Sequence, residues 1–312
     1  MLKQTHKIPV VVPYRLDLTV CALRRLSTNV VDLLTPDGRY VRVFAGEPEP
    51  VTVHVTQGRR GDSLSIVIEG ATKNNEVEVL GLVRRMLGAD RDLAPFDQSA
   101  ARIPWLVPLV ERMRGVKPPR YPTLWEACAN AVVFQQVSLR AASAVMHRVI
   151  VALGRSVEID GVPTPVYLFP DKESIQSASD DLLRSTGLSA NKIATLRRVA
   201  EAIASGTLDA TRLEGCASPD AAASLRRIKG IGPWTAAVIL LRGLGRLDVF
   251  PANDTSVASN IALVAGSTPF DAQAVLTALG PQRGMLYFYL LLARLEARGE
   301  IGRPSYESSG EC

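Results

Sequence analysis

The chain has 312 residues, 47% hydrophobic and 21% charged, with a net charge of +5. That length supports two domains with cores of their own, and no apolar run is long enough to span a bilayer. The mild basic excess admits a nucleic-acid partner, although composition alone does not place a basic patch. The opening Met-Leu-Lys-Gln-Thr-His-Lys lacks the apolar core of a signal peptide, which points to the cytoplasm.

Residues 1 to about 97 alternate as strands do. Leu16, Leu18 and Val20 share one face of such a strand, with Arg15, Asp17 and Thr19 on the other; a helix over Thr19 to Leu26 competes with it. Arg39 to Phe44, Val51 to Thr56 and Ser63 to Glu69 read as strands, with a turn at Gln57 to Asp62 between the last two. On this reading His54 lies on a polar, solvated strand face beside Thr52 and Thr56. Asn75 to Leu87 is a helix whose Val77, Leu80, Val83 and Leu87 line one side. The expected unit is a small antiparallel sheet with helices on one side, an α+β layer.

From Asp97 onward, residues 98–312, the period is helical and the fold becomes mainly α. Helices are expected at Ile103–Met113, Thr123–Phe134, Ser138–Leu153, Asp171–Ala178, Asp180–Ser185, Asn191–Ser205, Thr255–Val264 and Met285–Arg298. Thr123 followed by Glu126 has the form of a capping box. The chain closes on a polar tail from about residue 300 to 312 that is expected to fray.

Leu225 to Asn260 holds the most specific pattern. Gly230 and Gly232 bracket Ile231, as a tight hairpin requires when glycine must take positive φ. Pro233 suits the first turn of a helix running from Trp234 to Leu241, and Ser224 to Ile228 can end the helix before it. The stretch therefore reads helix, glycine hairpin, helix. The exposed N–H groups at the second helix's start are placed to receive a phosphate. Asp254 follows Trp234 by 20 residues and also suits the N-cap of Thr255–Val264. A second cluster, Phe134-Gln135-Gln136-Val137-Ser138, sets two glutamines between an apolar helix end and a serine cap. Its alternative reading is a plain helix junction.

Gly-Ile-Gly-Pro-Trp-Thr-Ala with the later Asp-Val-Phe-Pro and Asn-Asp resembles the helix-hairpin-helix (HhH-GPD) DNA glycosylases, and among them the bacterial alkylbase enzymes of the DNA-3-methyladenine glycosylase II type. The resemblance implies an all-helical glycosylase domain behind a small α+β domain. It implies a DNA N-glycosylase of base excision repair that flips out and hydrolyses off alkylated bases such as 3-methyladenine and 7-methylguanine, without lyase activity. Duplex DNA carrying a damaged base is the implied partner, with no membrane and a monomeric enzyme. Glycosylases for deaminated or mismatched bases, or a catalytically silent DNA-binding protein, are the alternatives.

By the same resemblance Asp254 is the catalytic carboxylate, with Asp248 as a structural neighbour. Trp234, Gln135, Gln136, Val238 and Tyr287 belong to the base pocket; Tyr289 is either a compensating aromatic or core. Gly230, Ile231, Gly232, Lys229 and Thr235 contact the DNA backbone, and Val133, Phe134 and Gln135 are the candidates for the wedge that fills the emptied stack. Bifunctional relatives carry a lysine where Trp234 stands, so an amine nucleophile is not expected. Val238 takes the place of a family aromatic, and a further family tryptophan is replaced around Gln282-Arg283. No cofactor is required, although a structural Na+ or K+ on the main-chain carbonyls of Arg226, Ile228 and Ile231 is implied. Some relatives hold an iron–sulfur cluster on four closely spaced cysteines; Cys21, Cys128, Cys216 and Cys312 are too scattered for one, and reduced thiols are expected.

Overall fold

The computed structural model describes residues 3–251 and 255–301. Asp254, Cys312 and the tail beyond residue 301 fall outside the described residues.

The N-terminal layer is a five-stranded sheet, wholly antiparallel, in the order β1 (Lys3–Pro9), β5 (Ser63–Glu69), β4 (Val51–Gln57), β3 (Tyr40–Phe44), β2 (Leu33–Leu34). In the register Val53 faces both Arg42 and Ile68, and Val55 faces both Tyr40 and Ile66. These side chains share one face. It buries Val53, Val55, Ile66 and Ile68 completely against Leu16, Val20 and Leu23 of α1 (Leu16–Arg24) and Val83 of α2 (Lys73–Met86). The edge strand β1 escaped the sequence reading, because its alternation is carried by polar residues, with Lys3 Nζ paired to Glu69 at 3.0 Å.

Two expectations for this layer are corrected. Leu16 to Val20 is helix, not strand. Leu16, Val20 and Leu23 pack on the sheet, whereas Leu18, Cys21 and Ala22 pack on the helical body. Burial on two sides imitates strand alternation. His54 is buried, only 7% exposed, rather than solvated. The hairpin of β6 (Ser156–Val157) and β7 (Val166–Tyr167) covers its side of the sheet, packing Val162 and Val166 on Val41 and Val43. Loss of water on burial lowers the pKa of His54.

The rest is helical: α3 (Ala94–Ala100), α4 (Val107–Arg112), α5 (Leu124–Val133), α6 (Leu139–Leu153), α7 (Lys172–Ser177), α8 (Asp180–Ser185), α9 (Ala190–Ala204), α10 (Ala210–Glu214), α11 (Ser218–Arg226), α12 (Pro233–Arg242), α13 (Thr255–Ala265), α14 (Ala272–Leu279) and α15 (Gly284–Glu296). One core joins α5, α6, α9, α11 and α12 through Cys128, Val132, Met146, Leu196 and Ile239. A second joins α1, α3, α4 and α13–α15 through Phe96, Leu106, Ile261, Leu279 and Leu286. The helix expected over Ile103–Met113 begins only at Val107, because Pro104 lacks an N–H and turns its predecessor out of the helical region. The domain boundary expected at residue 97 falls inside α3.

Two arginines tie the sheet layer to the helices. Arg42 on β3 donates to Asp32 at 2.7 Å and to Glu126 on α5 at 2.5 Å, while Tyr40 donates to the same Asp32 oxygen at 2.7 Å. This leaves the capping box half-formed: Thr123 Oγ1 accepts the Glu126 N–H at 3.1 Å, but the Glu126 carboxylate goes to Arg42 instead of returning to the cap. Arg242, at the end of α12, is fully buried and donates to the Ala22 and Leu23 carbonyls of α1, both at 2.9 Å.

Candidate nucleic-acid interface and base pocket

The hairpin between α11 and α12 closes through two short backbone bonds, Ile228 N–H to Leu225 O at 3.1 Å and Ile231 N–H to Ile228 O at 3.0 Å. Only one of its glycines is there for positive φ. Gly230 sits at φ 105°, and a Cβ there would lie 2.0 Å from Thr195 Oγ1 on α9. Gly232 has φ −89° and ψ −179°, open to any residue, and a Cβ on it would touch nothing within 4 Å. Ile231, 4% exposed, anchors the loop in the helical core. The exposed Pro233 and half-buried Gly232 bring the start of α12 to the surface, where a helix leaves its first N–H groups without intrahelical acceptors. Exposed Arg226, Arg227 and Lys229 flank it. Arg198 Nη1 holds the Lys229 carbonyl at 3.2 Å.

The glutamine cluster is joined to this hairpin. Gln135 Nε2 donates to Gly230 O at 2.9 Å and to Thr235 Oγ1 at 2.6 Å. Lys192 Nζ holds the Val133 carbonyl at 2.7 Å, and Ser138 caps α6 by accepting the Ala141 N–H. Between these fixed points Gln136 is exposed and adopts φ 54°, a left-handed conformation uncommon outside glycine and asparagine. The expected wedge candidates do not occupy the tip. Val133 is 1% exposed and belongs to the core, Gln135 is bound to the hairpin, and Phe134 lies under a guanidinium. The residue presented outward is Gln136, with Val137 beside it, 44% exposed.

Phe134 leads into a cavity of about 30 Å³ between the α1–β2 connection and α5–α6, lined by Arg25, Tyr121, Asn130, Phe134, Met146 and His147. The space admits water and is too small for a base. Arg25 forms one wall. Its guanidinium carbon stands 3.6 Å from the centre of the Phe134 ring, and the residue is 4% exposed at φ 65°, ψ −90°. Burial pushes the Tyr287 phenol up, but the nearby Arg25 and Arg242 guanidiniums outweigh that and hold its pKa below the ordinary value.

Trp234 is half-buried against the same core as Phe134. Val238, expected in the pocket, is 1% exposed inside the core and lines neither this cavity nor the hairpin surface. Tyr289 is core as well, stacked on Phe96 with ring centres 5.1 Å apart. Asp248 is exposed. Arg25 and Arg242 carried no signal in the sequence, where each is one arginine beside an apolar helix. Among the described residues no group of His, Cys, Asp and Glu is placed to hold a metal ion, Cys21, Cys128 and Cys216 are free thiols, and no helix is long and apolar enough to cross a membrane.

Residues 129–279 match the HhH-GPD superfamily of base excision DNA repair proteins. The chain is 31% identical over 177 residues to DNA-3-methyladenine glycosylase 1 of Schizosaccharomyces pombe, covering 56% of this chain and 72% of that protein. It is 29% identical over 187 residues to a DNA-3-methyladenine glycosylase of Bacillus subtilis, covering 60% of this chain and spanning 61% of that relative's length. Among solved structures, a 3-methyladenine DNA-glycosylase from Archaeoglobus fulgidus superposes with a TM-score of 0.75 at 25% identity, over 93% of this chain and 99% of that one.

Proposed function

From the membership of this chain in the HhH-GPD superfamily of base excision DNA repair proteins, we propose that it is a monofunctional DNA glycosylase acting on alkylated bases of the 3-methyladenine and 7-methylguanine type. The observation that carries the proposal is the double hydrogen bond of Gln135 to Gly230 and Thr235. It holds the α5–α6 turn, the α12 N-terminus and the Phe134 pocket in one assembly, as an enzyme that grips a backbone and extrudes a base requires.

In this reading the hairpin receives a phosphate on the N–H groups at the start of α12, without reading sequence. Lys229, Arg226 and Arg227 add charge around it. The Arg226, Ile228 and Ile231 carbonyls would hold a monovalent cation that adds to the phosphate contact. Of these, the Ile228 oxygen already accepts the Ile231 N–H and keeps a second lone pair to offer. Gln136 enters the space the damaged base vacates, and Trp234 presents an aromatic surface to that base.

Alkylation at a purine ring nitrogen makes the base a good leaving group. The C1′–N bond breaks with its electron pair going to the base, and charge develops on the sugar. Asp254 stabilises that charge and orients the water whose oxygen bonds to C1′, its proton passing to solvent. Trp234 in the lysine position of bifunctional relatives excludes an imine at that place. The test is the purified protein on a panel of single-lesion duplexes, read as cleavage after heating in alkali. Excision of alkylpurines, abasic product that stays uncut before the alkali step and no borohydride-trapped adduct are expected. A panel wholly untouched by the protein would refute the activity.

A further inference from the structure

We infer that Arg25 sets which damaged bases the Phe134 pocket admits, disfavouring cationic alkylpurines relative to neutral lesions. The inference rests on the glycosylase reading above and deepens it. Arg25 has three features that a surface arginine lacks. Its backbone lies at φ 65°, ψ −90°, a strained region for a side chain with a Cβ, and such strain persists where the surroundings enforce it. It is 4% exposed although charged. Its guanidinium covers the Phe134 ring at 3.6 Å, the geometry of a cation–π contact.

With the cavity at about 30 Å³, a purine that stacks on Phe134 must displace Arg25 or lie against it. The deoxynucleotides of 3-methyladenine and 7-methylguanine carry a positive charge until the glycosidic bond breaks. Such a base competes for a cation–π face that already holds a cation, and meets like charge in a buried site. A neutral base with acceptor atoms on its edge, such as hypoxanthine, takes hydrogen bonds from the same guanidinium fork. The repulsion belongs to the bound ground state, because the base loses its charge as it leaves. Removing the repulsion should therefore lower KM for the cationic base, with kcat falling alongside it.

The experiment compares the whole protein with Arg25→Gln and Arg25→Gly on duplexes carrying 7-methylguanine or hypoxanthine; glycine suits the positive φ and guards against a folding failure. The KM ratio of 7-methylguanine to hypoxanthine should fall about tenfold in both variants, while Arg25→Lys, which keeps the charge, should stay near the parent. A parent that excises only the neutral base, with variants that gain 7-methylguanine, supports the inference and overturns the alkylpurine substrate proposed above. A ratio that stays or rises in both variants, or a parent that excises only cationic bases, overturns it while leaving the glycosylase reading intact. A parent that excises neither base removes both.

Discussion

Gly230 and Gly232 stand two residues apart and answer to different constraints. Gly230 needs its hydrogen because its φ is 105° and Thr195 Oγ1 would lie 2.0 Å from a Cβ. A Cβ on Gly232 would meet nothing within 4 Å beyond its chain neighbours, which leaves that side open to an incoming ligand. Gly230→Val should therefore destabilise the fold by about 1–3 kcal/mol, visible as a lower melting temperature. Gly232→Val should melt normally yet weaken binding to damaged and undamaged duplexes alike; a loss confined to lesion-bearing DNA would count against a phosphate role. Asp254 poses a sharper question. A carboxylate acting by charge beside a developing sugar cation is lost in the isosteric Asp254→Asn, and one preorganised electrostatic group is worth roughly 10²–10³-fold in rate. A helix cap is not lost, because Asn and Asp cap about equally. The variant should fold, bind lesions and excise them at a rate lower by that factor; normal excision of 3-methyladenine would end the catalytic assignment and direct attention to Asp248.

The turn between α5 and α6 works only because it is moored to another element. Gln135→Ala removes the bonds to Gly230 O and Thr235 Oγ1. At about 0.5–1.5 kcal/mol net per hydrogen bond, the variant should lose about 1–3 kcal/mol in chemical denaturation. An unchanged midpoint would mean that packing alone holds the turn. The hairpin and this cluster were legible in the sequence, because glycine spacing, a following proline and paired glutamines between caps are local signals. Their mutual contact spans 100 residues from Gln135 to Thr235 and leaves no local trace. The same limit explains the errors elsewhere. Leu16 to Val20 read as strand because burial on two sides mimics alternation, and His54 read as solvated because the β6–β7 hairpin that covers it comes from a distant loop. Phe96 and Ala100 of α3 pack in the same core as Leu18, Cys21 and Ala22 of α1, so the two layers share side chains around residue 97.

At the scale of the whole molecule, the sheet layer and the helical body meet across a buried charge cluster with one cation and two carboxylates, Arg42 with Asp32 and Glu126. Arg42→Met would leave both carboxylates buried without their partner and should cost about 3–5 kcal/mol. The cluster reaches neutrality only if one carboxylate holds a proton. Burial, joined by the Asp32 charge, outweighs Arg42 and raises the Glu126 pKa from 4.5 to about 7. The folded protein then binds this proton more tightly than the unfolded chain does. Stability from Glu126 is fully present below pH 4.5 and declines as pH rises through 7. Glu126→Gln mimics the protonated acid and keeps an oxygen to accept from Arg42 Nη2. Its melting temperature should match the parent at pH 4.5 and exceed it at pH 8, by a gain on the order of 1–3 kcal/mol. Parent and variant curves that run parallel across that range would mean Glu126 stays ionised in the fold, with Arg42 outweighing burial. A curve that instead drops for the variant at pH 8 would mean that the ionised pair itself holds the two layers together.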